Sequence, residues 1–246
     1  MAKLLLSTKR NKNTRPGGAV IPRLSHTSSA KERGLRAADL MVQFKDEIFR
    51  RLTAPGDMGY VMAIRYQELV KSLLQNAHSG SLSRAFRDQY DSFFMLGQSP
   101  TRPEASILNA HDQYFDELKR RYSGLVIHSP GGRRDSSVIA TEVYKVMDLI
   151  KASGADAMHL SYASKLMHMV DETLPIYDSN VAAVTGGSNP DHEKRYTMLL
   201  DVQEFLMTEP RTDALMTELA YVPGYSGMSR AKLLDCLLFQ CGRIVK

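Results

Sequence analysis

Residues His159–Val181 read HLSYASKLMHMVDETLPIYDSNV, and this stretch decides the fold. Its first half spaces apolar residues as a helix does and stops before Leu174-Pro175, because proline cannot continue a helix. Lys165 sits within that mostly apolar segment. Thirteen residues later, Asp178 stands directly before a new helical start. A lysine held against an apolar face loses hydration, its pKa falls, and its amine becomes a nucleophile. A helix N-cap, with its free N–H groups and positive dipole end, favours a carboxylate. Lysine plus fixed carboxylate is the minimum set for Schiff-base chemistry on a sugar or carbonyl carbon. The plainer alternative is a surface lysine and a routine cap.

Helical signals continue on both sides. Upstream, Asp135, Ser136 or Ser137 can cap a helix over Val138–Ala152, with Ile139, Val143, Val146, Met147 and Ile150 in one stripe. Ser153-Gly154 ends it, and the lysine-bearing helix starts near Met158. Downstream, the spacing predicts a short helix over Asn180–Val184, then helices at about Glu193–Met207, Thr212–Tyr221 and Ser229–Arg243. The last places Leu233, Leu234, Leu237, Leu238 and Cys241 on one face, with Asp235 breaking the apolar run. Further upstream, Leu40, Met41, Phe44, Ile48, Phe49 and Leu52 predict one helix from Arg36 to the stop signal Ala54-Pro55-Gly56. Tyr60–Gln75, with Val61, Ile64, Leu69, Leu73 and Leu74, reads as the next helix, followed by Ser81–Met95 and Pro103–Arg121. Gly124–His128 is the one short strand candidate. The loop after it, Ser129–Asp135, carries two glycines beside Arg133 and Arg134 and can hold a phosphate, although no GK[ST] follows; a plain basic turn is the alternative. The expected fold class is all-α.

Composition sets the outer limits. A chain of 246 residues, 43% hydrophobic and 24% charged, fits a globular protein of one or two domains with a substantial core. No apolar run approaches the length of a membrane span, and Leu4–Leu6 is too short for a signal-peptide core. Cys236 and Cys241 are the only cysteines and fall in one helix, which points to a reducing, intracellular compartment and leaves no four-cysteine metal site. The net charge of +5 is unevenly spread: residues 1–36 hold nine Lys/Arg and one acid, so the remainder is net acidic. A basic arm of this kind suits a polyanion through phosphate contact and counterion release; a solvated tail or a targeting segment is the alternative.

Tyr162-Ala-Ser-Lys165, Pro175-Ile-Tyr-Asp-Ser-Asn-Val181 and Leu233-Leu-Asp-Cys-Leu-Leu-Phe239 together resemble the helix–hairpin–helix DNA glycosylases. More closely, they resemble bacterial proteins with the 8-oxoguanine DNA glycosylase fold. The likeness covers roughly residues 135–245. It implies that Lys165 attacks C1′ of the damaged nucleotide, while Asp178 activates it and stabilises the developing sugar cation. Such chemistry requires the nucleotide to leave the duplex stack. The hairpin of that family carries two glycines where this chain has Ser161 and Ala163, and Phe239 takes the place of its final aromatic residue.

The expected organisation is a basic flexible arm (1–34), an N-terminal helical part (35–130) and a helix–hairpin–helix glycosylase-like part (131–246), forming a helical bundle with a disordered arm. DNA is the expected partner, damaged or modified, gripped by Ser161, Ala163, Ser164, Arg133 and Arg134. His168, one turn beyond Lys165, could orient a phosphate or the flipped base, or be a satisfied core histidine. Tyr162 and Tyr177 could stack on a base or belong to the core, and Asp235 could accept from a base edge or cap another helix. No metal, cofactor or membrane is expected, and the chain is expected to be a monomer. A non-catalytic nucleic-acid-binding protein that keeps the same fold is the rival expectation.

Overall fold

The capping box Ser29-Ala-Lys-Glu32 opens the first helix earlier than the Arg36 periodicity predicts. Glu32 N–H donates to Ser29 Oγ (3.2 Å), and Ser29 N–H donates to Glu32 Oε2 (2.7 Å). Helix α1 therefore spans Ala30–Gln43, and the last residues assigned by sequence to the arm are helical. In the computed structural model, residues 24–25, 27–79, 135–152, 160–186 and 191–246 are described. The single helix predicted over Arg36–Leu52 is instead two. Phe44 leaves helical geometry (φ −103°, ψ 17°), with its ring packed against the core, and α2 runs Lys45–Thr53. Ala54-Pro55-Gly56 then breaks the chain, with Gly56 at a φ of 91°.

Helix α3 follows at Met58–Ser79, α4 at Ser136–Ala152, α5 at Leu160–Val170 and α6 at Ser179–Thr185. Helices α7 (His192–Thr208), α8 (Pro210–Ala220) and α9 (Arg230–Val245) complete the set. Every regular element among the described residues is a helix, so the protein is all-α. The helices expected at Ser81–Met95 and Pro103–Arg121, the strand at Gly124–His128, and Arg133 and Arg134 lie outside the described residues. None of the described helices is long and apolar enough to cross a membrane.

Helix α9 is the central element. It packs along α6 and also touches α1, α2, α3, α7 and α8. Leu233, Leu234, Leu237, Leu238 and Cys241 are all buried, as their stripe predicts, each removing roughly 1.5–3 kcal/mol of apolar side chain from water. Gly242 permits the tight α6 crossing: a Cβ there would overlap the backbone of Asn180. Helix α1 packs on α7 and α6, so the first three helices and the last six share one hydrophobic core. Among the described side chains of α3, Ala63, Tyr66 and Leu69 are buried, whereas Ile64, read as part of the apolar stripe, is exposed.

Two arginines of α1 fix α6 from its far end. Arg33, buried despite its charge, donates to the carbonyls of Thr185 (3.2 Å) and Gly186, and also to those of Ser28 (2.9 Å) and Ser25 (3.0 Å). Arg36 donates to Val184 O (2.5 Å) and Ala183 O (3.4 Å). Cations on the last carbonyls of a helix satisfy acceptors that have no partner within the helix and oppose its dipole.

Candidate functional site

Lys165 and Asp178 are joined by a connector whose geometry is fixed by α5 itself. Tyr177 N–H donates to Ser164 Oγ (2.9 Å), and that hydroxyl donates to Ser161 O (3.1 Å). The His168 Nδ1–H donates to Leu174 O (2.7 Å), since a carbonyl can only accept. From α7, the Tyr196 hydroxyl donates to Pro175 O (2.8 Å). The backbone polar groups around Pro175 are thus satisfied by side chains in place of a helix ladder. Beyond the connector, Asp178 caps α6, accepting from Asn180 N–H at 2.7 Å.

This arrangement brings Lys165 and Asp178 to the wall of one cavity of about 430 Å³, and Asp235 and Phe239 line it too. Four of the residues singled out from sequence, drawn from three separate segments, therefore meet in one place. Lys165 is half-buried and its amine is pushed below the ordinary lysine range, chiefly by burial; Asp178 and Asp235 act in the opposite direction.

Other sequence candidates are placed elsewhere. Ala163 and Ser164 are fully buried, Tyr162 is 3% exposed and His168 is 1% exposed, and none of them lines the cavity. Ala163 and Ser164 were expected to grip DNA, whereas His168 and Tyr162 had a core placement as their alternative; the α5 face that carries all four packs inward, and Ser164 and His168 pin the connector. Burial holds His168 down to about 4, so it is neutral near neutrality. Its Nε2 lies 3.2 Å from the Tyr66 hydroxyl, which donates to Glu172 Oε2 at 3.0 Å. Tyr177 turns to Arg195, whose guanidinium stands 5.5 Å from the ring centroid. Ser161 is only partly buried.

Several cavity residues have no counterpart among the sequence candidates. Met58, Gly59, Met62, Ala63 and Tyr66 of α3 form one wall at i, i+1, i+4, i+5 and i+8. Gly59 marks a close approach, because a Cβ would press on Gln240 of α9 and on the Arg51 carbonyl. From α9, Lys232, Cys236, Gln240 and Arg243 join the sequence candidates Asp235 and Phe239 on one helical face, so this helix gives one face to the core and another to the cavity. Lys232 is buried, with Nζ 2.7 Å from Asp235 Oδ2 and 4.3 Å from the Tyr66 ring centroid. Burial opposes its charge, yet Asp235 leads the interactions that hold it above the ordinary lysine range. Burial pushes the Cys236 thiol up to about 12, which keeps it protonated and unreactive. For Lys232, Gln240 and Arg243 the signal was a polar face on α9, hidden behind its leucine stripe.

The cavity thus combines apolar walls with a few fixed charges, a common make-up of small-molecule binding sites. Compared with known proteins, the chain matches no family model, no curated protein and no solved structure.

Proposed function

We propose that the protein is a DNA glycosylase of the helix–hairpin–helix kind with abasic-site lyase activity. The observation that carries this reading is the convergence of Lys165, Asp178, Asp235 and Phe239 on one cavity, with the lysine amine below its ordinary range. A nucleotide turned out of the duplex places its base among Phe239, Met62 and Tyr66, with its sugar toward Lys165 and Asp178. As the glycosidic bond breaks, its electron pair leaves with the base, and the Asp178 carboxylate stabilises the cationic sugar. Lys165 Nζ gives its lone pair to C1′, and opening of the sugar ring yields an imine. Loss of a C2′ proton then expels the 3′ phosphate by β-elimination, cleaving the strand.

The basic residues of the first thirty-six add phosphate affinity that falls with salt. The chain acts as a monomer inside the cell. Borohydride reduction in the presence of abasic DNA is the test: the chain should form a covalent adduct, and Lys165→Gln should not. DNA binding without any adduct, on abasic or base-damaged duplexes, would leave a non-catalytic DNA-binding protein. Absence of DNA binding at low salt would remove both readings.

A further inference from the structure

An ammonium group carries three N–H donors. Asp235 Oδ2 takes one from Lys232 at 2.7 Å, and the Tyr66 ring, its centroid 4.3 Å from Nζ, attracts the cation through its electron-rich face. Among the described residues no other acceptor meets Nζ, although Lys232 is only 4% exposed and lines the cavity. A buried charge with a donor to spare is costly until a partner completes it. The cavity wall holds Lys165, Lys232 and Arg243 against two carboxylates, Asp178 and Asp235, so an anion entering it meets no excess of negative charge. In the proposed reaction the sugar turns toward Lys165 and Asp178, while the base lies among Phe239, Met62 and Tyr66. The contact with Tyr66 puts the Lys232 ammonium at the base end.

We propose that Lys232 is a further catalytic residue of that reaction, whose ammonium takes up the negative charge of the departing base. When the bond between C1′ and the base nitrogen breaks, its electron pair stays with the base, and the ring nitrogens and carbonyl oxygens share the charge. A Lys232 N–H donates to one of these atoms, and that hydrogen bond strengthens as charge builds. No proton moves in this step; the base anion takes one from water after it leaves. Asp235, bonded at 2.7 Å, holds the ammonium in place and keeps it charged against burial. Asp178 and Lys232 thus act on the two products of one bond cleavage, the sugar cation and the base anion. Attack of Lys165 on C1′ follows.

The inference rests on the glycosylase reading, but its test needs neither DNA nor the identity of the excised base. Barbiturate, a flat pyrimidine ring that is an anion at neutral pH, stands in for a departed base, and uracil is its neutral counterpart of similar size. Isothermal titration of each into the full chain should show barbiturate binding roughly tenfold tighter or more. Lys232→Gln should abolish that preference, and Lys232→Arg should retain it. Lys232→Gln combined with Asp235→Asn leaves no carboxylate unpaired, so it covers a single variant that fails to fold, and it too should lose the preference. Equal affinities in the unsubstituted chain, no binding of either ring, or a preference that survives Lys232→Gln in the single or double variant overturns the proposal. Lys165→Gln should keep the preference; its loss there would assign the anion to Lys165 and overturn the role of Lys232. Trapping on abasic DNA, run alongside, separates the two ideas, because an abasic site has no base to release. Trapping without a preference for barbiturate removes the role of Lys232 alone, whereas a preference without trapping removes the lyase and leaves the contact between Lys232 and a flat anion standing.

Discussion

Two lysine–aspartate pairs border the same cavity, and they are assembled differently. Lys165 and Asp178 come from different helices, and the aspartate is committed to the Asn180 N–H at 2.7 Å. Lys232 and Asp235 lie one turn apart on α9 and bond directly at 2.7 Å. Burial acts against both ammonium groups, yet only Lys165 falls below the ordinary range while Lys232 rises above it. Desolvation and a neighbouring carboxylate act in opposite directions on an ammonium group; for Lys165 burial prevails, and for Lys232 the bonded Asp235 does. A lysine near an aspartate is therefore no sign of a nucleophile by itself.

Substituting the two lysines should break the comparison most sharply. Lys165→Gln should lower borohydride trapping by ~1,000-fold or more, while Lys232→Gln should still form the adduct at neutral pH, only more slowly. Equal loss in both variants would mean that the pairs do not differ in role. Asp178→Asn should slow base release by about 100- to 1,000-fold, since a neutral amide cannot stabilise the sugar cation; single-turnover rates would reveal it.

The connector beneath the first pair is open to a pH experiment. His168 has a folded pKa of about 4, below its ordinary 6.5, so the unfolded chain takes up a proton first as pH falls. Its contribution is present above pH 6.5 and is lost as pH drops toward 4, to a total of roughly 3 kcal/mol. Urea midpoints measured across that interval should decline, and His168→Asn should flatten the decline; an equally steep acid limb in the variant would show that other groups cause it.

The crossing of α6 and α9, which carry one member or both of each pair at the cavity wall, is testable at Gly242. Gly242→Ala pushes a methyl group into the Asn180 backbone and should destabilise the fold by about 1–3 kcal/mol, with Asp178 displaced from α9. Tyr196→Phe removes the hydroxyl that holds Pro175 O and should reduce stability by about 1 kcal/mol while trapping persists. A large loss of trapping in Tyr196→Phe would indicate that the connector controls chemistry more tightly than its hydrogen bonds suggest.

Among the described residues, where the helices fall was largely legible in the sequence, because the leucine stripe of α9, the proline after Leu174 and the aspartate cap at 178 are local signals. The break at Phe44 was not, since that residue belongs to an unbroken apolar pattern and only tertiary packing turns the chain there. At the site, Lys165 and Asp178 could be read because each departs from its surroundings in type or position. Tyr66 and Met62 could not, for they look like any helix interior, and their role comes from the face α3 presents to α9. Lys232 carried no local signal, because helical spacing says nothing about depth. Ser164 and His168 carried a true signal of polarity in an apolar helix, but the partner is the connector backbone.

The arginine clamp on α6 bears on how the basic N-terminal segment can be removed. A truncation through residue 34 deletes Arg33 and the carbonyl of Ser25 to which it donates, together with the capping box at Ser29 and Glu32. Such a truncation would loosen the helix capped by Asp178, so any DNA affinity it lost could not be assigned to lost phosphate contacts alone. Deleting residues 1–23 removes six of the basic side chains and keeps the clamp whole, which makes it the cleaner way to measure what the segment contributes.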